Sequence, residues 1–167
     1  MGGEADMKRV ITATVQDASG VLNRITGLLS RRSFNIESIT VGKTATEGVS
    51  KMTFIVDLES EDSAEQLIKQ LNKQILVLKV NDITNSDIVS RELALIKVKT
   101  TKASRAEIQS IIEPFRTNIL DVSKSSITIE VTGGTSKVDA LIELLEPFGI
   151  VEVSRTGVTA FPRGLKK

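Results

Sequence analysis

The chain has 167 residues, 40% hydrophobic and 26% charged, with a net charge of +1 and no Cys, His, Trp or Tyr. That balance describes a globular protein of one domain or two small ones, and it supplies no overall field to recruit nucleic acid, a membrane surface or an acidic partner. Without Cys or His there is no disulfide, thiolate nucleophile, imidazole base or ordinary zinc site, and no paired-carboxylate, P-loop or nucleophile-elbow pattern takes their place, so neither catalysis nor a metal is expected of this chain.

Residues 1–6 (MGGEAD) read as a flexible leader; Asp6 stands where a myristoylation motif has Ser or Thr. No apolar run reaches the ~20 residues that span a bilayer and no secretion signal opens the chain, so a cytoplasmic location is expected. Residues 8–16 alternate, with Ile11, Ala13 and Val15 on one face, and form a first strand. The polar turn Asp17-Ala18-Ser19-Gly20 follows. Val21, Leu22, Ile25, Leu28 and Leu29 then recur at helical spacing, one apolar stripe that must lie on a sheet, and Arg31-Arg32 suit a solvated helix C-terminus. A second strand enters at Phe34-Asn35-Ile36 and runs over about 36–46; the turn Thr46-Glu47-Gly48 joins it to a third, in which Met52, Phe54, Val56 and Leu58 alternate. Asp62 with Glu65 reads as a capping box for a helix carrying Leu67, Ile68 and Leu71, and residues 75–84 supply a fourth strand.

The polar stretch 85–91 reads as a linker, after which the same order recurs. Residues 92–101 form a strand. Ser104 and Glu107 read as a second capping box before a helix with Ile108, Ile111, Ile112 and Phe115; strands follow at 119–122 and 127–131. Gly133-Gly134-Thr135 opens a helix with Val138, Leu141, Ile142 and Leu145, and residues 150–158 close the set. The expected fold is α+β: two ferredoxin-like βαββαβ domains in tandem, at 7–84 and 92–160, with a tail at 161–167. Apolar outward faces and open sheet edges point to a homodimer, with sheets joined edge to edge or back to back.

The turn at Asp17 to Gly20 carries the chemical interest. The first N–H groups of a helix lack internal partners and carry partial positive charge, Gly20 lets a ligand approach the backbone, and Asp17 can face an ammonium. Such a site suits a free amino acid. The same residues are also ordinary N-cap and turn chemistry, and spacing leaves both readings open.

Taken together, VQDASGVLNRITGLLSRRSFNIESITVG, SKMTFIV, RELALIKVK, ILDVS, EVTGGTSKVDALIELL and VEVSRTGVTAFPRG resemble the small regulatory subunits of acetohydroxyacid synthase (acetolactate synthase), in order and over nearly the whole of 7–164. The resemblance implies that the first half is an ACT domain, a module that binds amino acids between paired domains. It implies a non-catalytic chain that activates a separate catalytic subunit, the holder of thiamine diphosphate, Mg2+ and FAD, and that confers feedback inhibition by valine or a similar amino acid in branched-chain amino acid biosynthesis. No cofactor is expected in the chain itself. By the same resemblance the effector-binding turn is Asp17, Ala18, Ser19 and Gly20, Asn35 reaches the ligand from the second chain of the dimer, and Val21, Leu22 or Ile36 line its side-chain pocket. Many relatives carry Asn at the place of Asp17 and Gly at that of Ser33, so effector preference and helix-end geometry are where this chain departs. An RNA-binding module of the same strand order is the first rival, disfavoured by 3% aromatics; an acylphosphatase-type enzyme using an Arg and an Asn is the second.

Overall fold

The computed structural model describes residues 7–31 and 34–164; the expected leader, Arg32, Ser33 and residues 165–167 lie outside them. The described residues divide into two units, one made of those at 7–89 together with 158–164, the other Ser90–Gly157.

In the first unit β1 (Met7–Gln16) places Ile11, Ala13 and Val15 at 0% exposure, as strand alternation requires. Helix α1 (Val21–Arg31) lays Val21, Ile25, Leu28 and Leu29 against them. β2 (Asn35–Lys43) and β3 (Val49–Leu58) form the hairpin, α2 (Glu61–Asn72) adds Ala64, Leu67 and Leu71 to the same core, and β4 (Val77–Asp82) closes the sheet in the order β2-β3-β1-β4, antiparallel throughout. Burying each large apolar side chain contributes about 1.5–3 kcal/mol, so this layer of helices on one sheet face holds the unit together. β2 is bulged between Ile36 and Ser38, which separates Asn35 and Ile36 from the regular part of the strand.

The second unit repeats the pattern. β5 (Ile88–Lys99), α3 (Arg105–Ile112), β6 (Asn118–Val122), β7 (Ser126–Gly133), α4 (Thr135–Leu145) and β8 (Ile150–Arg155) give the order β6-β7-β5-β8, with Ile96, Ile108, Ile129 and Leu141 in a core of their own. Both units are ferredoxin-like, so the α+β reading holds. Among the described residues, no helix is long and apolar enough to cross a membrane.

Three local expectations are corrected. Helix α2 is capped by Ser60, whose extended backbone lets its Oγ accept the Ser63 N–H at 3.2 Å; Asp62 and Glu65 lie inside the helix, and Glu65 pairs with Lys69 one turn on. The Ser104–Glu107 box does not close, because Ser104 Oγ accepts the Thr101 N–H at 2.9 Å and so serves the preceding turn. The linker at 85–91 is also part strand, since β5 begins at Ile88.

A larger difference concerns the C-terminus. A ninth strand, β9 (Thr159–Pro162), pairs with β5, and the Arg163 N–H donates to the Asp87 carbonyl at 2.7 Å. Val158 and Ala160 pack with Ile55 and Ile83, flanked by Val10 and Ile88. Val10 and Ile55 alternate with core residues, so this small cluster covers the face of the first sheet that its helices leave bare. Val158 is pinned at both ends: its N–H donates to Ser38 Oγ and its carbonyl accepts from Thr40 Oγ1, each at 2.9 Å. Residues 158–164, expected in the second domain and a tail, thus belong with the first unit, because apolar side chains there need cover.

Candidate functional site

The Asp17 to Gly20 turn is fixed from both sides. The Asp17 N–H donates to the Gly48 carbonyl of the neighbouring hairpin at 2.8 Å, the Ala18 N–H to Gln16 at 2.9 Å and the Val21 N–H to Ala18 at 3.2 Å. Gly20 has φ +83°, a left-handed conformation that costs other residues about 1–2 kcal/mol, and a Cβ placed on it would meet open space. Arg24 then donates to the Gly20 carbonyl at 3.0 Å and α1 is under way.

What the turn leaves unspent matters more. Among the described residues, the N–H groups of Ser19 and Gly20 have no acceptor, and the side chains of Asp17 and Ser19 have no hydrogen-bond partner. All four turn residues are exposed. Ordinary capping would have Asp17 or Ser19 accept from the first helical N–H groups, and neither does. The turn therefore presents donors at the positive end of a helix beside an acid, an arrangement complementary to a carboxylate and an ammonium together. Ala18, whose N–H is taken by Gln16, contributes shape and not a donor.

The apolar residues expected to line a pocket divide. Val21 is 8% exposed and belongs to the core, Leu22 is 45% exposed beside the turn, and Ile36 is half-buried against the core.

Asn35 stands apart from the turn. It is the first residue of β2, an edge strand, and it faces Asp57 in the register that sets Lys8 opposite Asp57 and Gln16 opposite Val49. The turn and Asn35 are thus at opposite ends of one sheet, eight positions apart along β1, or about 26 Å at ~3.3 Å per residue. No ligand the size of an amino acid touches both in a single chain. Asn35 is exposed and its Nδ2 donates to Asp57 Oδ2 at 2.9 Å, with the Lys8–Glu37 pair (2.6 Å) alongside. Asp57 escaped the sequence reading; its signal was an acid where the hairpin register places the partner of Asn35.

The remaining charged clusters are structural. Arg9, 6% exposed, pairs with Asp82 at 3.3 Å and with Glu61. Glu92, 5% exposed, pairs with Arg155, which also meets Asp139 at 2.7 Å; the hydrogen bond that Arg155 donates to Glu92 raises the Arg155 pKa above the ordinary arginine value against the opposing effect of burial, with Asp139 adding to the rise. Among the described residues no group of His, Cys, Asp and Glu could hold a metal ion.

Comparison with known proteins adds a consistent picture. The family described as the small subunit of acetolactate synthase matches residues 91–164, and the AHAS small subunit-like ACT domain matches residues 11–79. The chain is 62% identical over 161 residues to the acetolactate synthase small subunit of Bacillus subtilis, covering 96% of this chain and 94% of that one. It is 49% identical over 162 residues to a probable acetolactate synthase small subunit of Archaeoglobus fulgidus, covering 96% and 100%. Among solved structures, the acetolactate synthase small subunit of Thermotoga maritima superposes with a TM-score of 0.86 at 37% identity, covering 96% of this chain and 99% of that one.

Proposed function

The chain belongs to the family of acetolactate synthase small subunits, and from that premise we propose that it is the regulatory, non-catalytic subunit of an acetolactate synthase serving branched-chain amino acid biosynthesis. In this reading it works in the cytoplasm, activates a catalytic subunit that holds thiamine diphosphate, Mg2+ and FAD, and makes that subunit sensitive to valine or a similar aliphatic amino acid. The observation that carries the effector role is the Asp17 to Gly20 turn, with unspent Ser19 and Gly20 N–H groups and an unpartnered acid at the start of α1.

The effector carboxylate rests on those two N–H groups and its ammonium lies toward Asp17. Leu22 borders the aliphatic side chain. Because Asn35 is a full sheet length from its own turn, it completes the site of a second copy, which makes a homodimer part of the mechanism. Inhibition then follows from the effector favouring one of two arrangements of the assembly; a coupling of about 1–3 kcal/mol changes affinity roughly 5- to 150-fold, and linkage requires the catalytic subunit to alter effector affinity by the same factor.

The test is to mix this chain with a purified acetolactate synthase catalytic subunit and follow acetolactate formation with and without valine. Stimulation that valine reverses is expected, with Asp17→Ala and Asn35→Ala stimulating but no longer conferring inhibition. No stimulation would remove the subunit role; wild-type inhibition in both variants would remove the site.

A further inference from the structure

Resting on the effector reading above, the inference concerns which end of the ligand meets Asn35. An asparagine side chain carries a donor and an acceptor, and it can offer either to a ligand. Asp57 removes that choice. A carboxylate only accepts, so the Asn35 amide must turn its Nδ2 toward Asp57 Oδ2, where it lies at 2.9 Å, and its Oδ1 then points away from Asp57. Asp57 is half-buried in β3 and locked opposite Asn35 by the hairpin register, so this orientation is set by the fold before any ligand arrives. Glu37, two residues along β2, adds a second acid and is paired with Lys8. The exposed face of Asn35 is therefore an acceptor, complementary to an ammonium and not to a second carboxylate or carbonyl oxygen.

We propose that Asp57 is a positioning residue: by holding the Asn35 amide with its oxygen outward, it makes the effector site select amino acids over 2-oxo acids that carry the same side chain and carboxylate. The distinction is needed. An effector site that also accepted the 2-oxo acid of the same skeleton could not report the amino acid. Valine and the 2-oxo acid bearing its side chain differ only where an ammonium stands in place of a carbonyl oxygen. A site that hydrogen-bonds the distinguishing group rejects the analogue lacking it far more strongly than an apolar pocket separates neighbours by a methylene.

The second unit supplies an internal control. Asn118, first residue of β6, faces Glu130 and donates to its Oε1 at 2.8 Å, a like pin on the corresponding strand, set four residues nearer the hairpin turn. If such pairs do nothing but fasten hairpins, disturbing either should have equal consequences.

The experiment is calorimetric titration of the full-length protein with valine and, separately, with the corresponding 2-oxo acid. Wild type is expected to prefer valine by more than about 10-fold. Asp57→Asn, which can itself donate to Asn35 and free the amide to rotate, should lose most of that preference by weakening valine and not the 2-oxo acid. Asp57→Glu, still an acceptor, should restore it, and Glu130→Gln should leave the wild-type ratio. A wild-type ratio in Asp57→Asn with valine binding intact, or an equal fall in Glu130→Gln, would overturn the role of Asp57 alone. No valine binding by the wild-type protein would overturn the effector site and this inference with it.

Discussion

The two units share a strand order and differ in what they do with it. Each buries an ion pair between its first and last strands at one and the same register, two residues before the pair Ile11–Asp82 in the first unit and before Ala94–Arg155 in the second, yet the signs are exchanged: Arg9 meets Asp82, whereas Glu92 meets Arg155. The fold asks for a charge and its complement at that place and is indifferent to which strand supplies which. The turns that follow the first strands diverge further. Where the first unit turns through Asp17 to Gly20 with a left-handed glycine, the second turns through Thr101 and Ser104, whose hydroxyls bond each other and the turn backbone. Among the described residues, one turn leaves polar groups without partners and the other consumes them.

The sharpest way to break this symmetry is to remove one partner of each ion pair. Arg155→Ala strands Glu92, whose side chain is 2% exposed, and should cost about 3–5 kcal/mol in urea unfolding. Asp82→Ala costs less, about 1–2 kcal/mol, because Arg9 keeps Glu61. Exchanging the charges, Glu92→Arg with Arg155→Glu, should recover only part of the loss, because Asp139 then opposes a carboxylate in place of the arginine. The Arg155 pKa is raised on folding, so its contribution is fully present below the ordinary arginine pKa and falls only as pH rises through the raised one. Stability scans between about pH 6 and 9 should therefore show no loss from this pair.

Next in size, Leu71→Ala and Leu145→Ala delete fully buried side chains from different cores, and each should cost about 2–5 kcal/mol. Hydrogen exchange should place the loss of protection in the unit that carries the substitution. Gly20→Ala meets no steric obstacle and should cost about 1–2 kcal/mol through φ alone. Smallest are Ser38→Ala and Thr40→Val, which each remove one bond to Val158 and should cost about 1 kcal/mol, read as faster exchange at 158–164 without change in 90–157.

These contrasts also mark what the sequence made legible. Alternation in β1 and β3 and the stripe of α1 are strong because each buries one face completely, so both repeats and the strand order could be read from periodicity. The Asp17 to Gly20 turn was legible as a turn by its residue types, but the loss of the Ala18 N–H to Gln16 and the burial of Val21 are decided by backbone geometry that no spacing records. β9 was invisible for a different reason: it is four residues long, contains Pro162, and finds its cover and its hydrogen bonds about 70 to 120 positions away. Capping failed at Ser60 because the choice between Ser60 and Asp62 rests on which residue is extended. The Asn35–Asp57 and Asn118–Glu130 pairs needed hairpin register, which bulges at 36–38 and 119–121 shift by a residue.

The most direct measurement mixes two broken chains. In the proposed homodimer, Asp17→Ala and Asn35→Ala each spoil both sites, but a dimer of one with the other has one site with both defects and one with neither. Each variant alone should fail to bind valine by calorimetry, and an equilibrated mixture should bind it again with fewer sites and wild-type affinity. A mixture as silent as its components, or undiminished binding by either variant alone, would contradict a site built from the turn of one chain and the Asn35 of another.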